Sequence, residues 1–317
     1  MRPRIVCPSG DGALAPLFAG PDLRARLARL GEVVIAQDVP DEATLVERVA
    51  RADVVLLTTH LPDDALRAAA GRLRLVAFSG TGAASYVSLP LARELGVTVT
   101  NVVRYGDRAV AELTLGLLLA AARDLPAGDR AVRAGQWHGW PGRELAGARA
   151  AVVGFGGIGR TVAGMLDALG MEVRVWDRSI DPEALGAVHG RECSLPEAFA
   201  ADVVTLHLPL TAGTRGLVTA ELLDRMPEGS ILVNTARGEL VEPGALARRL
   251  ARGDVRAALD VFDPEPLHPG DPLLTVPGTV LSPHLGFRTP QALERMAAGA
   301  VASVEAFLAG APVNVVS

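Results

Sequence analysis

One stretch constrains this chain more than any other: Ala150–Arg160, A-A-V-V-G-F-G-G-I-G-R, where an apolar run ends in glycines at 154, 156 and 159. Helix-compatible residues follow, and a second apolar run, Val173–Trp176, closes on Asp177. Strand, tight turn, helix, strand, acid is the grammar of a βαβ unit that holds a dinucleotide. Gly154 permits the turn, Gly156 lets the backbone approach a pyrophosphate, and Gly159 lets the helix pack on the strand. The pyrophosphate would rest on the helix N-terminus, where Gly157 and Ile158 stand. Asp177 would accept hydrogen bonds from the adenosine ribose and repel a 2′-phosphate, which favours NAD over NADP; Arg178 beside it partly offsets that repulsion. The bland alternative is a glycine-rich turn, and the register of strand, helix and acid argues against it.

At 317 residues the chain has room for two domains with separate cores. Its net charge of −5 gives no basic surface for nucleic acid or an anionic membrane. The N-terminus lacks the apolar run of a signal peptide, and the longest apolar run, Leu113–Ala122, falls short of the ~20 residues that span a bilayer. A soluble, cytoplasmic protein is expected. Cys7 and Cys193, the two cysteines, have neither metal-ligand nor disulfide spacing, so no metal is expected. All 31 basic residues are arginine, which rules out lysine Schiff bases, a P-loop lysine and a Tyr/Lys proton relay.

Continuous apolar runs at Arg4–Pro8, Val33–Asp38, Val54–Thr59, Leu73–Ser79 and Val97–Val102 read as strands buried on both faces, hence a parallel sheet. Helices are expected between them at Asp22–Leu30, Asp41–Ala50, Asp63–Ala70 and Leu89–Leu95. A long apolar helix follows from Arg108 to about Ala122, expected at a domain or subunit interface. Asp124–Gly147, with Trp137 and Trp140, reads as an irregular segment wrapped on another surface. Strands resume at Asp202–His207, Ile231–Asn234, Val255–Asp260 and Thr279–Ser282, with helices near Ala220–Met226 and Pro243–Arg252. Thr289 caps a last helix with Pro290 at its first position, and the tail Ala311–Val316 is apolar enough to join a sheet.

The polar residues that stand out after these strands are His207 with Pro209, Thr235-Ala236-Arg237-Gly238, Asp260, Glu265 and His284. They follow four successive strands, Asp260 and Glu265 sharing one, so all converge on one rim. Reduction of a carbonyl next to a carboxylate needs a cation, which Arg237 supplies, and a proton donor near neutrality, which His284 supplies. It also needs a carboxylate to orient the imidazole, and Glu265 is the candidate. The bland readings are a surface Arg237, a solvated Glu265 between Pro264 and Pro266, and a strand-capping His284; Gly286 behind His284 leaves room for a ligand. His207 lines the nucleotide site, while His60, His138, His189 and His268 read as surface or packing residues.

At these residues the chain resembles the D-isomer-specific 2-hydroxyacid dehydrogenase family. The matching pieces are GFGGIG with Asp177, HLPLTAGTRGL at His207–Leu217, NTARG at Asn234–Gly238, ALDVFDPEPL at Ala258–Leu267 and SPHLG at Ser282–Gly286. YGDRAVAELT at Tyr105–Thr114 resembles the family's interdomain helix, and SGTG at Ser79–Gly82 its substrate loop. The resemblance implies that Arg237, Glu265 and His284 are catalytic. It also implies that Val110, Pro209, Thr214, Thr235, Ala236, Asp260 and Gly286 contact the cofactor, and that Ser79, Gly80 and Thr81 hold the substrate carboxylate. Val103-Arg104, Ser88 and Phe287-Arg288 depart from the family pattern; Arg104 or Arg288 would add a positive charge for an acidic or phosphorylated substrate. Glu265 argues against formate dehydrogenase relatives, which carry glutamine there. The fold implied is α/β, a Rossmann-type NAD-binding domain at 102–286 inserted in a flavodoxin-like α/β substrate domain, 1–101 plus 287–317. The function implied is NAD-dependent interconversion of a small D-2-hydroxy acid and its 2-keto acid by a homodimer. The alternative is a catalytically weak NAD-sensing scaffold.

Overall fold

The apolar runs become parallel strands in two separate sheets. The computed structural model describes residues 2–10, 12–139 and 141–317; Trp140 of the wrapping segment lies outside the described residues. The chain divides into one unit made of Met1–Gly106 and Thr289–Ser317, and a second of Asp107–Arg288. The expected divisions at 101/102 and 286/287 fall a few residues earlier.

The first unit runs β1 (Arg4–Cys7), α1 (Leu14–Ala19), α2 (Pro21–Leu30), β2 (Glu32–Ile35), α3 (Glu42–Ala50), β3 (Val54–Leu57), α4 (Asp63–Ala68), β4 (Leu75–Phe78), α5 (Leu89–Glu94) and β5 (Thr98–Thr100). Its strands pair in the order β2-β1-β3-β4-β5, all parallel, which is the flavodoxin-like order. Asp41 caps α3 through a 2.8 Å bond from Thr44 N–H, which is why that helix starts where the sequence places it. Helix α1 is not among the elements expected from the sequence; it buries Leu14, Ala15 and Phe18.

The second unit runs α6 (Asp107–Arg123), α7 (Leu125–Arg133), β6 (Arg149–Val153), α8 (Gly157–Ala168), β7 (Glu172–Trp176), α9 (Pro182–Gly186), β8 (Arg191–Glu192) and α10 (Leu195–Ala198). It continues β9 (Val203–Leu206), α11 (Ala220–Leu223), β10 (Ile231–Asn234), α12 (Ala245–Leu250), β11 (Arg256–Leu259) and β12 (Thr279–Leu281). The sheet order β12-β11-β10-β9-β6-β7-β8, parallel throughout, is Rossmann-type, with the switch point between β6 and β9. Alternate residues of β6 serve opposite faces: Ala150 and Val152 join one core cluster, Ala151 and Val153 the other. The chain then returns to the first unit as α13 (Pro290–Leu308), with Thr289 Oγ1 accepting from Ala292 N–H at 3.2 Å.

One expectation is corrected. The Asp124–Gly147 segment is not irregular throughout, since α7 occupies nine of its residues. Helix α6 buries Ala111, Thr114, Leu118 and Ala121 within its own unit and leaves Arg108, Glu112, Gly116 and Leu119 as an exposed stripe. The tail joins its sheet through one antiparallel bridge, Val315 to Thr100 on β5. Both cysteines are free thiols. Burial pushes each up to about 11; for the half-buried Cys193, nearby Glu197 adds to the rise.

Arg249, 4% exposed, ties α11, α12 and β11 together by donating to the Leu223 and Met226 carbonyls at 3.0 Å each and pairing with Asp254. Arg249→Ala strands both carbonyls, so urea unfolding should show a loss of about 3 kcal/mol. A loss below about 0.5 kcal/mol would show that water replaces those bonds.

Candidate active site

Because every strand of the second sheet is parallel, all its carboxyl ends lie on one edge. His284 follows β12, Asp260 and Glu265 follow β11, Arg237 follows β10, His207 follows β9, Gly154 follows β6 and Asp177 follows β7. The rim therefore holds the three catalytic candidates on adjacent strands at one end and the nucleotide candidates on adjacent strands at the other.

His284 Nδ1 lies 2.7 Å from Glu265 Oε2, and Glu265 Oε1 accepts from Phe262 N–H at 2.9 Å. The two side chains are 34% and 36% exposed, so they meet at a surface open to a reactant. Burial works to raise the Glu265 carboxyl. Hydrogen bonds from His284 and Phe262, with the charges of His284 and Arg237, outweigh it and hold the group below the usual carboxylate range. A carboxylate at Nδ1 leaves Nε2 as the nitrogen that can exchange a proton with a reactant. Phe287 stands edge-on to the imidazole, with ring centroids 5.8 Å apart.

Asp260 builds this corner. The residue is 1% exposed, its Oδ1 accepts from Leu285 N–H and its Oδ2 from Gly286 N–H, both at 2.8 Å. Its carbonyl accepts from His284 N–H at 2.9 Å. These bonds hold His284 in a left-handed backbone conformation, φ 53°, that a β-strand continuation would not give it.

Arg237 is set by a local turn. Asn234 Oδ1 accepts from Ala236 N–H at 3.0 Å and Asn234 Nδ2 donates to the Arg237 carbonyl at 2.9 Å, closing the strand end on itself. The guanidinium donates to the Ala236 carbonyl at 2.6 Å, and its charge reaches Glu265 without a hydrogen bond between them. Gly238 lets this turn lie against the Glu265 loop, since a Cβ there would come within 2.6 Å of Asp263 N. Thr235 Oγ1 bonds Thr114 Oγ1 at 2.8 Å, fastening the turn to α6, and Thr114 in turn donates to the Val110 carbonyl. The sequence offered a signal for the Asn234 turn, an Asx residue at a strand end; it offered none for the tasks of Asp260 and Gly238.

At the nucleotide end Gly154 has φ 101°, and Gly159 lies against the Gly154 carbonyl. Asp177 Oδ2 accepts from Phe155 N–H at 2.6 Å, so its carboxylate sits on the glycine turn; Arg178 is exposed beside it. A Cβ on Gly156 would meet no protein atom within 4 Å, and the first-turn N–H groups of Gly157, Ile158 and Gly159 have no intrahelical acceptor. These features fit a bound pyrophosphate. Thr214 Oγ1 donates to the Pro209 carbonyl at 2.6 Å and accepts from Thr211 N–H at 2.8 Å, giving the loop after His207 a fixed shape. Ser79, Gly80, Thr81 and Arg104 lie in the first unit. Asn101 Nδ2 donates to the Thr81 carbonyl at 2.7 Å and Val102 N–H to the Gly80 carbonyl at 2.8 Å. Arg104 is exposed with φ 62°, and Arg288 is exposed at the end of the second unit.

With this geometry in view, the comparisons are consistent. Residues 115–286 match the model of the D-isomer specific 2-hydroxyacid dehydrogenase NAD binding domain. A D-3-phosphoglycerate dehydrogenase from Mycobacterium bovis is 38% identical over 291 residues, covering 90% of this chain and 55% of the relative. A glyoxylate reductase from Aeropyrum pernix is 38% identical over 295 residues, covering 88% of this chain and 87% of the relative. The crystal structure of the TT0316 protein from Thermus thermophilus superposes with a TM-score of 0.85 at 36% identity, covering 99% of this chain and 100% of that one. The chain belongs to the D-isomer specific 2-hydroxyacid dehydrogenase family. It spans about half the length of the D-3-phosphoglycerate dehydrogenases it matches, 55% in the Mycobacterium bovis protein.

His207 gives a pH signature. Its residue keeps some exposed surface, but Nδ1 is buried without a protein partner and Nε2 bonds Thr205 Oγ1 at 2.8 Å. Burial pushes the imidazole down to about 3. With the folded value below the unfolded one, the unfolded chain binds the extra proton between them. Stability is therefore unaffected by this group above about pH 6.5 and falls as pH drops below it, by up to about 1.4 kcal/mol per pH unit. His207→Asn should flatten that part of the stability–pH curve measured by urea unfolding at pH 7.5 to about 4.5. An unchanged slope would show that the ring is protonated in the folded protein.

Proposed function

We propose that this chain is an NAD-dependent oxidoreductase that interconverts a small 2-keto acid and its D-2-hydroxy acid. The observation that carries this is the Glu265–His284 hydrogen bond of 2.7 Å, next to Arg237 and on the rim of a dinucleotide-binding sheet. His284 gives a proton to the carbonyl oxygen in reduction and takes it back from the hydroxyl in oxidation. Glu265 fixes the orientation of the ring through its contact with Nδ1. Arg237 holds the substrate carboxylate and polarises the carbonyl with a fork that stays charged at any working pH. Within the first unit, the N–H groups of Gly80 and Thr81 donate to no protein acceptor among the described residues, which leaves them able to take an anionic group.

The nicotinamide cofactor, when bound, supplies or accepts the hydride. Gly154, Gly156, Gly157, Ile158 and Gly159 would hold its pyrophosphate, and Asp177 its adenosine ribose, with NAD preferred because a 2′-phosphate would meet that carboxylate. Val110, His207, Pro209, Thr214, Thr235, Ala236, Asp260 and Gly286 would complete the cleft. The family relatives named glyoxylate reductase, glycerate dehydrogenase and hydroxypyruvate reductase define the substrate class to try first.

The test is a panel of 2-keto acids with NADH, following loss of its absorbance. Turnover is expected with at least one small keto acid, and His284→Asn should lower kcat about 10²- to 10⁴-fold while Glu265→Gln shifts the pH profile. NADH binding without turnover across the whole panel would favour the scaffold reading.

A homodimer is proposed on the same unit. Leu125, Val132 and Trp137 are 56%, 57% and 94% exposed on and after α7, and Leu119 interrupts the polar stripe of α6. An apolar surface of this kind marks a contact with another chain. Sedimentation equilibrium should find a dimer, and Val132→Glu with Trp137→Ser should shift it toward monomer; a wild-type monomer at all concentrations would refute it.

A further inference from the structure

Asp107 opens α6 and is the first residue of the second unit, yet its carboxylate lies against the first turn of α8. A Cβ on Gly157 would come within 2.8 Å of Asp107 Cγ and closer still to Oδ2, so the glycine at 157 is what makes room for the acid. The neighbouring Gly156 has no such neighbour. Helix α8 is twelve residues long and its amino end carries partial positive charge, as does that of α6, so one carboxylate serves two helix termini.

We propose that Asp107 sets the dinucleotide affinity as a resident anion at the place where the cofactor's pyrophosphate binds. This rests on the reading that the pyrophosphate is held by the first turn of α8. Two negative groups cannot share one helix end without repulsion, so a pyrophosphate gains less there than it would at an end free of other anions. The carboxylate must turn away or accept the repulsion. Either way, whatever Asp107 contributes to the free protein is subtracted from binding, because a group that stabilises only the ligand-free state weakens the ligand. A role in capping alone would act in the other direction, since loosening the α6 start would loosen the cleft.

The experiment is equilibrium titration of wild type, Asp107→Asn and Asp107→Ala with ADP-ribose, which has the pyrophosphate but no nicotinamide, and with adenosine, which has neither. Thermal melting of the ligand-free proteins runs alongside. The two substitutions should tighten ADP-ribose about three- to tenfold, leave adenosine unchanged, and lower the ligand-free Tm by about 2 °C. Gly156→Ala is the control for the underlying reading: with open space around its Cβ it should melt like wild type and lose ADP-ribose at least tenfold. If Gly156→Ala behaves this way while both Asp107 variants bind ADP-ribose no better than wild type, the proposal is wrong and the pyrophosphate placement stands. If Gly156→Ala binds normally, the placement falls and the proposal with it.

Discussion

A single buried carboxylate holds the functional corner together. Asp260 ends β11, and by taking the N–H groups of Leu285 and Gly286 and, through its carbonyl, that of His284, it fixes the turn that presents the imidazole. Those bonds replace the hydrogen bonds to water that a polar group loses on burial, the condition on which proteins tolerate polar atoms in the interior. Without them His284 would have no reason to stay in its left-handed conformation, and the 2.7 Å contact to Glu265 would depend on a loop held by little else. The first requirement of the site is thus met by a residue that need not touch a reacting atom.

The parallel sheet supplies the second requirement. Its direction brings six strand ends to one edge, and its order places the glycine turn at the switch point with the Arg237 turn two strands away. Short fasteners then convert rough proximity into fixed positions: the Asn234 turn, the Thr114–Thr235 bond, the contact at Gly238 and the Thr214 loop. Each is local or crosses only one element boundary, so the corner can be rigid although its residues are scattered over the second half of the chain.

Much of this was legible in the sequence, for identifiable reasons. Strands buried on both faces must be apolar without interruption, so β3, β4, β6 and β10 announce themselves, and Gly154–Asp177 carries its own register. The proximity of His284 and Glu265 follows from the needs of one reaction. What sequence could not show depends on distance. Asp107 and Gly157 are 50 positions apart and meet only after α6 has packed on α8, and nothing in an acid following a strand says whether it faces ligand or backbone, as Asp260 does. Helix α7 was hidden for the opposite reason, since the proline at its start reads as loop until tertiary packing decides.

The buried thiols have a chemical corollary. A 2-keto acid is an electrophile, and it condenses with amines to imines and with thiolates to hemithioacetals. No lysine side chain is present to form the first. Cys7 and Cys193, both raised to about 11, remain protonated at neutral pH and form the second only slowly. The amine and thiolate routes of self-modification by the reactive carbonyl compounds proposed as its substrates are therefore absent or slow on the side chains of this polypeptide.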